Sequence, residues 1–229
     1  MKELMIDFET LGLKENAVLL SIGACAFDPA TGEIGETFYC AIDPRTQHGR
    51  EIDAGAVLWW MDQDEAARRK ITDALKNADL LPSLELDTPE YDEAFNNAAL
   101  PINHVAMAFS AYVEQFGDNV RCWSDGAVDH AWLNSMMTYS GFTNPIKFWN
   151  QRDYRTLKGL FPNVECAALG QMHNALDDAI KQTKHLCAIL TAEAATKKNT
   201  ADLIHLVYHG AGESNTALAL AEQMYTPED

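Results

Sequence analysis

The chain has 229 residues, 47% hydrophobic and 22% charged, which suits one globular α/β domain and demands no second one. Thirty-four acids against 17 lysines and arginines leave a formal charge of −17, which excludes a broad electrostatic grip on nucleic acid and confines any such recognition to a local, metal-assisted site. No apolar run approaches the roughly 20 residues of a membrane span, the first residues form no secretory leader, and five scattered cysteines lack C-x-x-C spacing, so the expectation is a reduced, cytoplasmic protein without disulfides, a zinc ribbon or a membrane partner.

The first strand comes at once, in Leu4-Met5-Ile6-Asp7-Phe8-Glu9-Thr10-Leu11-Gly12. Leu4, Ile6 and Phe8 alternate with Met5, Asp7 and Glu9, so the strand period of two sets Asp7 and Glu9 side by side on one face. Carboxylates that close repel each other and resist burial; a divalent cation with oxygen ligands relieves both, and an edge strand wetted on that face is the plainer alternative. Residues 18–27 read as a second, buried strand, 28–33 as a turn, and 36–42 as a third strand, so three antiparallel strands open the fold.

A loop through Pro44 and Gly49 then leads to a helix over about 56–75, carrying Trp59-Trp60 and the basic run Arg68-Arg69-Lys70. Residues 79–99 hold two prolines and many acids without a period and read as an irregular surface excursion. A helix over 102–116, a short strand at 120–123, a helix over 129–139, a strand at 147–152 and a short helix through Tyr154, Leu157 and Leu160 follow. The longest helical signal covers about 175–197, with a stripe of Leu176, Ala179, Ile180, Thr183, Cys187 and Leu190; two further helices, near 202–209 and 216–224, flank Gly210-Ala211-Gly212. That glycine pair follows no strand and has no third glycine at dinucleotide spacing, so it reads as a linker and not as a phosphate loop. The pattern predicts a single domain over 1–229, α/β, with a mixed central sheet flanked by helices.

Two more acidic positions stand out by their neighbours. Asp129 follows a strand and a Gly-containing turn in Trp123-Ser124-Asp125-Gly126-Ala127-Val128-Asp129, where it either caps a helix or faces a cleft. In Met172-His173-Asn174-Ala175-Leu176-Asp177-Asp178, a histidine precedes a helix with two acids in its first turns, where the helix dipole favours acids anyway. Spacing leaves Asp177 and Asp178 open.

D-x-E on a first strand, an Asp at a turn-to-helix junction and His-x4-Asp opening a late helix, in this order, resemble the DEDDh class of 3′-to-5′ exonucleases, whose fold is ribonuclease H-like; the resemblance covers roughly residues 2–190. Within that class, Trp59-Trp60 with Gln63 and the segment Lys147-Phe148-Trp149-Asn150-Gln151-Arg152-Asp153 look closest to the T-even phage exonuclease group, with the exonuclease VIII and bacterial exoribonuclease groups related. One departure is a shortened turn before Asp129, which leaves Asp125 as its rival.

The resemblance implies a two-metal phosphodiester hydrolysis, with Asp7, Glu9, Asp129 and Asp178 holding two Mg²⁺ or Mn²⁺ ions about 3.5–4 Å apart and His173 taking a proton from the attacking water. Thr10 and Leu11 would lie against the terminal nucleotide, Trp59, Trp60 and Trp149 are candidates to stack on bases, core packing being the plainer role for each, and Lys147, Arg152, Arg155 and Lys158 form a locally positive stretch that would track the strand. The expected partner is the 3′ end of a single strand, DNA first and RNA as the runner-up, trimmed to nucleoside 5′-monophosphates; a catalytically silent binding or decoy module is the alternative of a different class.

Overall fold

The computed structural model describes residues 2–166 and 172–209. β1 (Glu3–Thr10), β2 (Leu19–Phe27) and β3 (Ile34–Ala41) pair antiparallel, while β4 (Cys122–Ser124) and β5 (Gln151–Asp153) add in parallel beyond β1, giving the order β3-β2-β1-β4-β5. The sheet is mixed, as the sequence pattern requires, and β1 is its centre.

Alternation along β1 sorts its side chains between two cores. Leu4, Ile6 and Phe8 face Val105 and Phe109 of α4 (Ile102–Glu114) and Leu133 and Met136 of α5 (Ala127–Tyr139). Met5 faces the other way, with Cys25 and Phe27 of β2, beneath Ala179, Leu186 and Ile189 of α7 (Ala175–His209) and Tyr154 of α6 (Tyr154–Leu160). Asp7 and Glu9 continue the Met5 row, so they emerge on the α7 side of the sheet where that helix begins.

The start of α7 is held there by the absence of a side chain at Gly23. In the β1–β2 register Gly23 lies opposite Asp7. A Cβ on Gly23 would stand 2.2 Å from Ala175 C and from Leu176 N, a distance no packed atoms keep.

Several elements differ from the sequence expectation. The helix expected over 56–75 is two: α1 (Ala54–Asp62), capped by the Asp53 carboxylate on Ala56 N at 3.0 Å, and α2 (Glu65–Leu80), broken from it at Gln63-Asp64. The excursion at 79–99 holds a 3-10 turn (Leu81–Ser83) and α3 (Pro89–Asn96), whose N-terminus has Thr88 as cap, Pro89 first and Glu90 and Asp92 in the first turn. The strand expected over 147–152 begins as a 3-10 turn (Phe148–Asn150), and only Gln151–Asp153 pairs. Trp149 is no core residue: it is 57% exposed and Phe148 is 77% exposed. The helix expected near 202–209 is the continuation of α7, while the Gly210–Gly212 linker and the helix near 216–224 lie outside the described residues. Among the described residues no helix is long and apolar enough to cross a membrane.

Gly23→Ala is expected to force α7 away from β2 and with it the residues α7 carries toward β1. The expected outcome is a loss of about 1–3 kcal/mol of stability by denaturant melting; an unchanged melt would mean that α7 does not rest on this glycine.

Candidate active site

Three elements bring acids together at the C-terminal half of β1. Asp7 and Glu9 share its α7-side face. β4 pairs only with Leu4 and Met5, so the β1 edge is open beyond them, and Asp129 Oδ1 fills the opening by accepting from Phe8 N at 3.3 Å. Gly126, at φ +107, ends the turn before α5, and Asp129 is the third residue of that helix, buried at 4% exposure; its carboxylate is committed to β1 and not to a cap. Asp125 points outward instead, to Arg155 and Lys158 of α6.

The opening of α7 decides between its two acids. Asn174 caps the helix, its Oδ1 accepting from Leu176 N and Asp177 N at 3.1 and 3.3 Å, and His173 stands before it at φ +62, in the left-handed region. That conformation turns the His173 amide back to donate to Asp178 Oδ2 at 2.9 Å. Ligand atoms of Glu9, His173 and Asp178 then all lie within 4.8 Å of one another. The His173 ring stands edge-on to Trp59, centroids 4.8 Å apart at 84°, with Trp60 at 6.4 Å.

A residue that sequence reasoning passed over completes the arrangement. Gln182 Nε2 donates to Asp7 Oδ1 at 2.7 Å, and its own Oε1 is buried without a hydrogen-bond partner among the described residues. Its signal was its spacing: Gln182 is four residues after Asp178, one turn along the same helix face. Ser21 and Tyr39 also share this face, in register with Glu9 and Asp7 respectively, which only the strand pairing reveals.

Burial raises the carboxyls of this cluster. Glu9 is pushed up to about 8, first by desolvation and then by Asp178 and Asp129. Asp129 rises to about 7, again by desolvation, against the lowering pull of the Phe8 amide. Asp7 lies well above the usual carboxylate range through desolvation, Asp129 and Glu9, and Asp178 is raised by burial against the His173 N–H that holds it. The charged neighbours that bear most on Asp7 and Glu9 are themselves carboxyls. Such a cluster is stable in its ionised form only with external cations, and its carboxylate oxygens suit a hard divalent ion.

Beside Glu9 lies a cleft of about 500 Å³ walled by Phe8, Thr10, Trp59, Trp60 and Trp132. Thr10 and Trp59, 45% exposed, line it, whereas the Leu11 side chain packs against Leu20, Trp60 and Ala67 and is not among the lining residues. Arg152 turns its guanidinium to the carbonyls of Trp149 and Gln151, both at 2.8 Å, so it braces its own turn. A groove of about 880 Å³ between β3, α2 and α3 contains none of the site acids.

Residues 2–190 match the model of a family described as a 3′-5′ exoribonuclease Rv2179c-like domain. The chain is 27% identical over 169 residues to an exodeoxyribonuclease of Enterobacteria phage T4, spanning 68% of this chain and 70% of that one. Its fold resembles the nuclease domain of 3′hExo, a DEDDh family member solved with rAMP, at TM-score 0.51 and 14% identity over 83% of this chain and 92% of the other. It also resembles an exonuclease I from Methylocaldum szegediense, at TM-score 0.51 and 12% identity over 84% of this chain and 40% of that one. The fold is ribonuclease H-like.

Carboxyls whose folded pKa lies above the unfolded value favour folding only while protonated: that stability is full below about pH 4 and is lost as pH rises through the folded values, about 7 for Asp129 and about 8 for Glu9. In EDTA at pH 8, Asp129→Asn should therefore melt higher than the parent, by on the order of 1–3 kcal/mol or about 3–10 °C, and the difference should vanish near pH 4. Mg²⁺ or Mn²⁺ should raise the parent's melting temperature more at pH 8 than at pH 5. Equal melting of parent and variant at pH 8 would contradict the burial of an unneutralised acid cluster.

Proposed function

The chain belongs to the family of Rv2179c-like 3′-5′ exoribonuclease domains and is a hydrolytic nuclease of the DEDDh exonuclease type, and from that premise we propose that it works as a single exonuclease domain, removing nucleoside 5′-monophosphates from the 3′ end of single-stranded DNA with two Mg²⁺ or Mn²⁺ ions. The observation that carries the reading is the convergence of Asp7, Glu9, Asp129 and Asp178 with His173 beside an aromatic cleft.

In this mechanism the four carboxylates hold the metals, which when bound would neutralise the acids and the phosphate and stabilise the attacking and leaving oxygens. Gln182 fixes one oxygen of Asp7, leaving the other to the centre. His173 takes the proton of the attacking water as general base. Its ring is kept in place by Trp59 and Trp60, and its backbone amide is tied to Asp178, so base and ligand are positioned as one unit. The terminal nucleoside would enter the cleft beside Glu9, with the exposed face of Trp59 available to the base; stacking of this kind is worth about 1–3 kcal/mol and tolerates any sequence.

The cleft supports DNA as a substrate. Three donors of its wall are already engaged: Trp60 Nε1 donates to Thr10 O at 2.9 Å, Thr10 Oγ1 to Gly12 O at 2.7 Å, and Trp132 Nε1 to Lys14 O at 2.8 Å. A site built to require a 2′-hydroxyl strands a buried polar group when that hydroxyl is missing, and these groups are not stranded. The likeness to the phage exodeoxyribonuclease points the same way. RNA is the second reading, favoured by the description of the family to which residues 2–190 belong.

The test is a time course on 5′-labelled single-stranded DNA and RNA of matched sequence. The expected result is a ladder shrinking from the 3′ end, abolished by EDTA and by Asp178→Ala, with DNA shortened at least as fast as RNA; cleavage of RNA alone would give the second reading its place. His173→Ala should lose about 10²–10⁴ in turnover yet keep the metal-induced rise in melting temperature. A fully active variant would require another base.

A further inference from the structure

The turn between β4 and α5 carries an ion cluster that the mechanism does not use. Arg155 and Lys158, three apart on α6, both reach Asp125: Arg155 Nε and Lys158 Nζ approach its carboxylate at 3.2 Å, and Arg155 Nη2 also donates to the Asp125 carbonyl at 2.8 Å. The guanidinium lies over Gly126, where a Cβ would meet its Cζ at 3.4 Å. Gly126 immediately precedes α5, three residues before Asp129, so both cations stand at the rim of the carboxylate centre.

The cluster has the properties of a site with a provisional occupant. The Arg155 and Lys158 side chains are 64% and 41% exposed, so their ion pairs with Asp125 are of the weak, exchangeable kind. Arg155 Nη2 also donates to the Asp125 carbonyl, a bond that does not involve the carboxylate. A planar fork beside a point charge suits two oxygens of a phosphate at least as well as those of a carboxylate. Arg155 also bears electrostatically on Asp129, so the cluster stands within reach of the carboxylate centre in a chain of net charge −17.

We propose that Arg155 and Lys158 form a subsite for a non-scissile phosphodiester of the substrate strand, and that the Asp125 carboxylate occupies this subsite in the free protein. The inference rests on the nuclease reading above and adds to it a substrate contact and a built-in competitor. Binding of a strand exchanges the carboxylate for a phosphate, so removing the competitor strengthens binding. A purely structural Asp125 would do the reverse.

The experiment measures KM, kcat and the salt dependence of KM on a 5′-labelled single-stranded oligonucleotide with saturating Mn²⁺, and the binding of the same oligonucleotide by fluorescence anisotropy in the His173→Ala background. Asp125→Asn should lower KM about 3- to 10-fold with kcat little changed. Arg155→Ala and Lys158→Ala should each raise it and flatten the slope of log KM against log salt by about 0.7. In an Arg155→Ala, Lys158→Ala background, Asp125→Asn should give no gain. Cleavage by the parent with KM unchanged or raised in Asp125→Asn would overturn the subsite alone; no cleavage by the parent would overturn the enzymatic reading, while the anisotropy series would still decide the subsite, the same order of affinities supporting it and any other order rejecting it.

Discussion

Everything in this molecule is arranged around the mutual repulsion of acids placed in one cleft. Burial and proximity push the carboxyls of Asp7, Glu9, Asp129 and Asp178 upward together, so no single element could carry them all without coming apart. The fold distributes them over α5, anchored in one core, α7, anchored in the other, and β1, which contributes to both. Three of the four are oriented by neutral donors: Phe8 N for Asp129, His173 N for Asp178, and Gln182 Nε2 for Asp7. The choice of donor matters. A lysine or arginine in those places would relieve the repulsion permanently and occupy the position of a metal, whereas an amide fixes geometry and leaves the negative charge available.

The geometry of the sheet explains why the acids meet where they do. β4 stops short, pairing only with Leu4 and Met5, and the unpaired Phe8 amide becomes the docking point for Asp129. On the other side of the same strand, Gly23 lets the first turn of α7 rest on the β2 backbone opposite Asp7. A longer β4 or a larger residue at 23 would each separate one acid from the others. The site thus depends on two local omissions, a missing strand partner and a missing side chain, set into a well-packed frame.

The same dependence limits what the sequence can reveal. The strand alternation of Leu4 to Glu9, the Gly126 turn and the His173–Asp178 spacing are local patterns, and they led directly to the acids on β1, α5 and α7. The choice of Asp129 over Asp125 turns on where β4 ends, and the choice of Asp178 over Asp177 turns on the left-handed conformation of His173. Neither has a periodic signature. Gln182 looked like any polar residue of a long helix, and Ser21 and Tyr39 join the face only through cross-strand register. The break at Gln63-Asp64 was hidden because helical residues continue on both sides, and α3 is too short for its period to stand out against its acids. Tryptophan at 149 suggested a core by its size alone, and instead it stands exposed on a 3-10 turn before a three-residue strand.

A chain of net charge −17 that acts on a polyanion must make attraction conditional. The four site carboxylates, once ionised, add a local repulsion to the global one, and a phosphodiester cannot approach them unescorted. In the proposed mechanism two divalent ions cancel the charge of those four acids, so the same ions that support the chemistry also admit the substrate. By linkage the relation is reciprocal: a phosphate seated at the centre must tighten the binding of the metals by the factor by which the metals tighten the phosphate. Metal and strand then each strengthen the binding of the other. In that mechanism the acidity of the rest of the surface, which would weaken a protein relying on broad electrostatic capture, discriminates against nucleic acid that arrives anywhere other than at the metal-loaded site.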